Sequence, residues 1–365
     1  MGVRMTKHGG GVQDAAAIGE LHRKHAGRKL LVLLVLAALT VLAVLGAATL
    51  GSASLGIGDV VHVILVKLGL AGGSVDALGN AIVWELRLPR ILLALVTGLA
   101  LAGSGTVMQG VLRNPLVSPF TLGLSSAAAF GASVAIIAGA SLPGNLRYWI
   151  IGSAFFFGMA TVLFIYFVAS LKGSGKATYL LSGVAISYVF SAGVSVMKYV
   201  SDHEALREIV VWLMGGLWGA SWHVVAILLP LVVGILLVLL ANAWNLNVMA
   251  GGEEVAASMG VHVKRLRLLV LVLATLAASA TIAFTGIIGF IGLMAPHICR
   301  MLVGGDNRYL IPCSALMGAV LLIVSDTIGR TVIAPTEIPV GIITSFIGVP
   351  FFMYLLIRQR RQWWG

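Results

Sequence analysis

WELRLPRILLALVTGLALAGSG, residues 84–105, decides the fold of this chain. Its first seven residues hold Glu85, Arg87 and Arg90, with Pro89 between the two arginines. From Ile91 onward the stretch is free of charge and long enough to enter and cross a hydrocarbon core of about 30 Å. The placement of three charges at the mouth of one apolar helix is the question that the rest of the chain answers.

The same apolar character runs through all 365 residues. Of these, 59% are hydrophobic and 10% charged, against about 25% charged in soluble domains. The apolar segments are continuous rather than alternating, which excludes a membrane β-barrel. The fold class is all-α, a polytopic membrane protein. The 45 glycines fit helices that approach each other closely in lipid.

Ten spans are predicted, at 30–50, 90–112, 119–140, 148–171, 178–199, 223–243, 267–286, 288–304, 309–329 and 339–357. Two longer connections look amphipathic and interfacial: GDVVHVILVKLGL at 58–70 and the Trp-rich segment 201–222. The polar, basic, Gly-rich residues 1–29 read as a disordered tail, too long and mixed for the start of a cleaved signal. Spans two and seven enter from opposite sides, and both are Gly/Ser/Thr-rich and followed by Pro-containing turns, so an inverted repeat of spans two to five and seven to ten is expected.

Ten spans put both termini on one side. Of the 24 Lys and Arg, seventeen fall on that side and seven on the other. The excess places the termini in the cytoplasm. The net charge of +11 is thereby explained by topology, and nucleic acid is excluded as a partner. Arg87 and Arg90 lie on the outer side and break the trend, so they call for a partner.

Several motifs have bland alternatives. GSGK at 173–176 lacks the earlier glycine and the Ser/Thr of a phosphate loop, so this chain does not bind ATP there. Pro115 and Pro119 interrupt a turn in which Asn114 satisfies freed backbone; it is either a tight re-entrant turn or irregular backbone lining a cavity. NVMAGGEEVAASMGVHVKRLR, 247–267, predicts a short helix with Glu253 and Glu254 in its first turn and a stop at Gly260. Its apolar residues either dock a partner or pack back on the protein. His297 lacks a second ligand at helical spacing, so no metal site is assigned. Cys299 and Cys313 read as inert packing. Asp326 and Arg330, at i,i+4, form an intrahelical pair, or Arg330 joins Arg87 and Arg90 on the outer face. Glu337 and Pro339 cap the final span. No catalytic constellation occurs, and the acids are too few for the proton relay of an ion-coupled carrier, the alternative of a different class.

The order RLPR, RNPL, PFTLGLSSAAAFGA, GGEEVAASMG, TGIIGFIGLMAPHICR and EIPVGIITSFIGVPFF resembles the permease subunit of ABC importers for iron–siderophore complexes, haem and cobalamin (type II, FecCD-like). The resemblance spans about residues 30–360. It implies a ten-helix permease domain over those residues, with cytoplasmic tails at 1–29 and 361–365, in the inner membrane. It implies a homodimer, two cytoplasmic ATPase subunits that use ATP and Mg, and an extracytoplasmic binding protein that delivers the chelate. This chain itself binds no cofactor. The loop at about 247–265 would be the coupling helix, with Gly252, Glu253, Glu254, Ala256, Ala257, Met259 and Gly260 meeting the ATPase. Arg87, Arg90 and Arg330 would receive carboxylates of the binding protein, held in place by Glu85 and Asp326. Gly175, Lys176 and Ala177 match the cytoplasmic gate.

Overall fold

The computed structural model describes residues 10–51, 56–72, 75–141, 143–171 and 176–358. Helix α1 covers Gly10–Thr49 and α2 Ile57–Lys67. Next come α3 (Ala77–Gly79), a π-helical segment Asn80–Arg87, and α4 (Leu88–Leu112), which run on as one rod. Then follow α5 (Leu124–Ala138), α6 (Leu146–Leu171), α7 (Lys176–Val200), α8 (His203–Met214), α9 (Trp222–Ala241), α10 (Ala243–Ala250), α11 (Glu253–Ser258), α12 (Val263–Thr285), α13 (Ile291–Val303), α14 (Asn307–Thr331) and α15 (Val340–Arg358). No strand occurs among the described residues.

Each predicted span is represented by a helix, with three differences of length. Among the described residues, seven helices are long and apolar enough to cross a membrane. Residues 124–138, 291–303 and 340–355 form shorter apolar helices. The third span starts at Leu124 rather than 119, because Pro115 and Pro119 keep residues 114–123 in turns. There Asn114 Oδ1 accepts from Leu116 N at 2.9 Å, as its position predicts. The second span extends upstream to Ala77 instead of starting near 90. The tail also departs from expectation. Helix α1 begins at Gly10, because Ala, Leu, Glu and Lys residues propagate a helix already nucleated by the span. Residues 1–9 lie outside the described residues.

The expected internal repeat is written in the packing. Pair α4, α5, α6 and α7 with α12, α13, α14 and α15. Contact α4–α14 then has its counterpart in α12–α6, α4–α13 in α12–α5, and α5–α6 in α13–α14. Likewise α5–α7 matches α13–α15, and α6–α7 matches α14–α15. Both α5 and α13 are short and follow irregular backbone, at 113–123 and 286–290. The two halves share a packing plan, in which close helix approach needs small side chains at the crossings.

Helices α4 and α12 form the centre, with α4 buried along almost its whole length. Helix α4 touches α14 where Gly98 and Gly318 face each other. A Cβ on either glycine would collide with the backbone of the other helix. Eight residues from that crossing on each helix sit Arg90 and Asp326, and the antiparallel register brings them together.

Candidate functional site

Arg87 and Arg90 converge with Arg330, distant in sequence. Arg87, Arg90 and Arg330 line one cavity of about 530 Å³ with Gly51, Trp218 and Glu337. Arg330 Nε donates to Asp326 Oδ2 at 3.0 Å. Arg90 donates to Asp326 Oδ1 from Nε at 3.0 Å and Nη2 at 2.9 Å, and to Glu337 Oε2 from Nη1 at 2.8 Å. Asp326 is only 2% exposed and serves two guanidinium groups. Arg330 therefore pairs with Asp326 within its own helix and also lies beside Arg87 and Arg90.

The far sides of two arginines have another task. Arg87 Nη1 donates to the carbonyls of Ala48 and Thr49, at 2.8 and 3.2 Å. Arg330 reaches those of Ala47 and Leu50, at 3.3 and 3.4 Å. These carbonyls end α1, where the last turn has no intrahelical donors and carries partial negative charge. Two arginines from distant helices thus cap α1. Sequence reasoning missed this, because nothing in residues 46–50 announces a donor 39 or 280 residues away.

Two expected supports are corrected. Glu85 accepts from Asn80 Nδ2 at 2.9 Å and, among the described residues, pairs with no arginine. Five residues apart in a π-helical segment, the two side chains lie one above the other. Glu337 does not cap the final helix. Its carboxylate is engaged by Arg90 and, at 3.2 Å, by Trp218 Nε1.

At the other end of the bundle α11 protrudes. Gly252, at φ 132°, supplies a turn into it that only glycine adopts without strain, and Gly260, at φ 83°, ends it. Ala256 is fully buried and anchors the helix, so it is not available to a partner as expected. Glu253, one turn earlier, points the same way and meets Arg267 at 2.6 Å. The opposite face shows Val255, 49% exposed, and Met259, 59% exposed, beside the exposed Glu254, Ala257 and Gly260. Helical spacing explains the division, since positions three and four apart share a face.

This end is braced on a second side. Asn247 of α10 donates to Asp306 at 2.7 Å and accepts from the backbone and side chain of Asn307 at 2.8 and 2.9 Å. Hydrogen bonds from Arg308, opposed in part by burial, hold the Asp306 carboxyl down at about 2. Lys176 opens α7 and Ala177 is exposed, whereas Gly175 lies outside the described residues. His297 lines a cavity of about 420 Å³ with Gln109, Arg113 and Arg300. Cys299 and Cys313 are buried and unbridged, packed with Leu36 of α1.

The model of the FecCD transport family matches residues 35–358. The chain belongs to this family. It is 40% identical to the hemin transport system permease protein HmuU of Yersinia pestis, over 82% of this chain and 95% of that one. It is 37% identical to the Fe(3+)-citrate import system permease protein YfmE of Bacillus subtilis, over 92% and 97%. A solved inward-facing structure of a candidate metal-chelate type ABC transporter superposes with a TM-score of 0.78, at 34% identity, over 89% of this chain and 98% of that one. The protein is thus the membrane-spanning permease subunit of an ABC importer, a transport subunit of a multi-pass membrane protein class.

Proposed function

We propose that two copies of this permease carry an iron(III)–siderophore or related metal chelate inward across the cytoplasmic membrane, driven by two ATPase subunits in the cytoplasm. The observation that carries the drive mechanism is α11, whose Val255 and Met259 face away from the protein that anchors Ala256. Exposed apolar side chains on a short, firmly held helix suit a partner surface. ATP and Mg belong to that partner. The relatives that handle hemin and Fe(3+)-citrate support the cargo class; haem and cobalamin are the alternative cargoes within it. Family membership argues against an ion-coupled carrier.

The second copy is supported by the repeat-related helices α7 and α15. Each leaves a long apolar face open, with Leu181, Tyr188 and Val189 on one and Phe346, Val349 and Met353 on the other. Facing copies would line a weakly binding path with these surfaces. Gly175, Lys176 and Ala177, where α7 begins, are its proposed cytoplasmic gate. Both termini lie in the cytoplasm in this arrangement.

The outer cavity is the proposed seat of the binding protein. Arg87 and Arg330 are committed to α1, so the incoming carboxylate is received chiefly at Arg90. Its side chain is 15% exposed and its partner Glu337 35% exposed. Arg90 already donates to Asp326 and Glu337, so an incoming carboxylate would take the place of the more exposed Glu337 on the guanidinium fork, and such contacts orient docking more than they tighten it.

The test is native mass spectrometry of the tagged chain from its own membranes, followed by uptake assays in vesicles. Two copies with two ATPase subunits, and ATP-dependent uptake of a ferric siderophore, are expected. A chain recovered alone, even after crosslinking at Glu254, would overturn the ATPase-driven reading. Uptake of haem or cobalamin but no ferric siderophore would replace the cargo.

A further inference from the structure

Arg267 is the largest fully buried side chain among the described residues, 2% exposed in the second turn of α12. Among the described residues its one acidic partner is Glu253 of α11, at 2.6 Å from Nη2. Its guanidinium carbon lies 6.0 Å from the ring centroid of Tyr179. Tyr179 is 1% exposed and sits in the first turn of α7, three residues after Lys176. The ring in turn lies 6.5 Å from that of Tyr166 on α6.

This arrangement is costly for a purely structural contact. Arg267 Nε and Nη2 are buried without a hydrogen-bond partner, so the contact to Glu253 is charge against charge without hydrogen-bond geometry. A buried guanidinium whose only counter-charge moves away is left uncompensated, which is strongly unfavourable. The Glu253 carboxylate is 42% exposed and belongs to the six-residue helix α11. Whatever displaces α11 therefore pulls on Arg267. The guanidinium can follow only by shifting against the aromatic face of Tyr179, where a cation is favoured.

We infer that Arg267 is a positioning residue that transmits displacement of α11 to the start of α7, through Glu253 on one side and Tyr179 on the other. The inference rests on α11 being the ATPase-docking helix and adds the route by which docking reaches the membrane helices. It makes Glu253 the inward end of the relay. Met259 and Val255 remain the outward contact with the partner. Transmission of this kind needs an element that both sites bias, and the pair Glu253–Arg267 has the required property: it is satisfied in one position of α11 and broken in another.

The experiment uses the complete importer in proteoliposomes and measures ATP hydrolysis, chelate uptake and ATPase copurification for each variant. Arg267→Met with Glu253→Gln removes both charges together and avoids stranding either. Tyr179→Leu removes only the ring. The expected result is a fall of about tenfold in chelate moved per ATP hydrolysed, a size typical of energetic coupling between sites. ATPase copurification and hydrolysis stay near the parent values. Spin labels at Ala177 in the two copies should show a nucleotide-driven distance change in the parent that both variants lose. An unchanged uptake per ATP in Tyr179→Leu, or in an assembled Arg267→Met/Glu253→Gln importer, overturns the relay. Failure of the docking reading is recognised separately: Met259→Glu would then leave ATPase copurification intact.

Discussion

The two ends of the bundle treat their charges in opposite ways. At the end that holds the arginine cavity, Arg87, Arg90 and Arg330 are drawn inward, shared between Asp326, Glu337 and the last carbonyls of α1. At the other end one arginine is buried beneath α11, and the apolar side chains Val255 and Met259 are turned out. The first end spends its charge on architecture, because three helices meet there and α1 ends without donors. The second spends little on itself and leaves a surface unfinished. Exposed charge is ordinary, whereas an exposed apolar face held rigidly in place is what marks a partner.

The largest effect should come from Asp326→Asn. It strands Arg90 and Arg330 in a buried site, and breaking a buried pair costs about 3–5 kcal/mol. A large fall in melting temperature in detergent, with little folded protein recovered, is expected. A folded variant deficient only in transport would show that the outer cluster is functional rather than architectural.

Met259→Glu sharpens the contrast from the other side. A substitution at an exposed position usually changes stability by less than about 0.5 kcal/mol, so melting should stay near that of the parent. Copurification of the ATPase should nevertheless fall by about tenfold or more, as for a hot-spot contact. Retained copurification would remove the distinction between the two ends.

Glu337→Gln should be milder. The pair is partly exposed and worth about 0–1 kcal/mol, so the fold should hold. Arg90 would keep Asp326 but lose its competing carboxylate, and binding-protein affinity measured by surface plasmon resonance should rise. A fall would mean that Glu337 itself receives the partner.

The smallest effect is one of acid stability at Asp306. Its folded pKa, about 2, lies below the ordinary value of 3.8. Its contribution is therefore complete above about pH 4 and lost as pH falls from there through about 2. Asp306→Asn should flatten the melting temperature over that window. A parent already flat there would show that Arg308, which is 58% exposed, is too well solvated to matter.

The sequence itself determined the helices, because period, length and the scarcity of charge admit one answer in a bilayer. It also located the loop at 247–265, since Gly252 and Gly260 bracket a helix that no span requires. Residues near in sequence could be judged correctly, as with the Asp326–Arg330 pair one helical turn apart. Glu85, close in sequence to Arg87, pairs instead with Asn80, because the π-helical turn directs it there. Only the tertiary structure decided that Arg90 and Asp326 meet, that two arginines cap α1, that Ala256 points in while Met259 points out, and that Arg267 joins Glu253 to Tyr179. Such pairings depend on where helices cross, here set by Gly98 against Gly318. Crossing geometry is a property of two surfaces together, and neither surface states it alone.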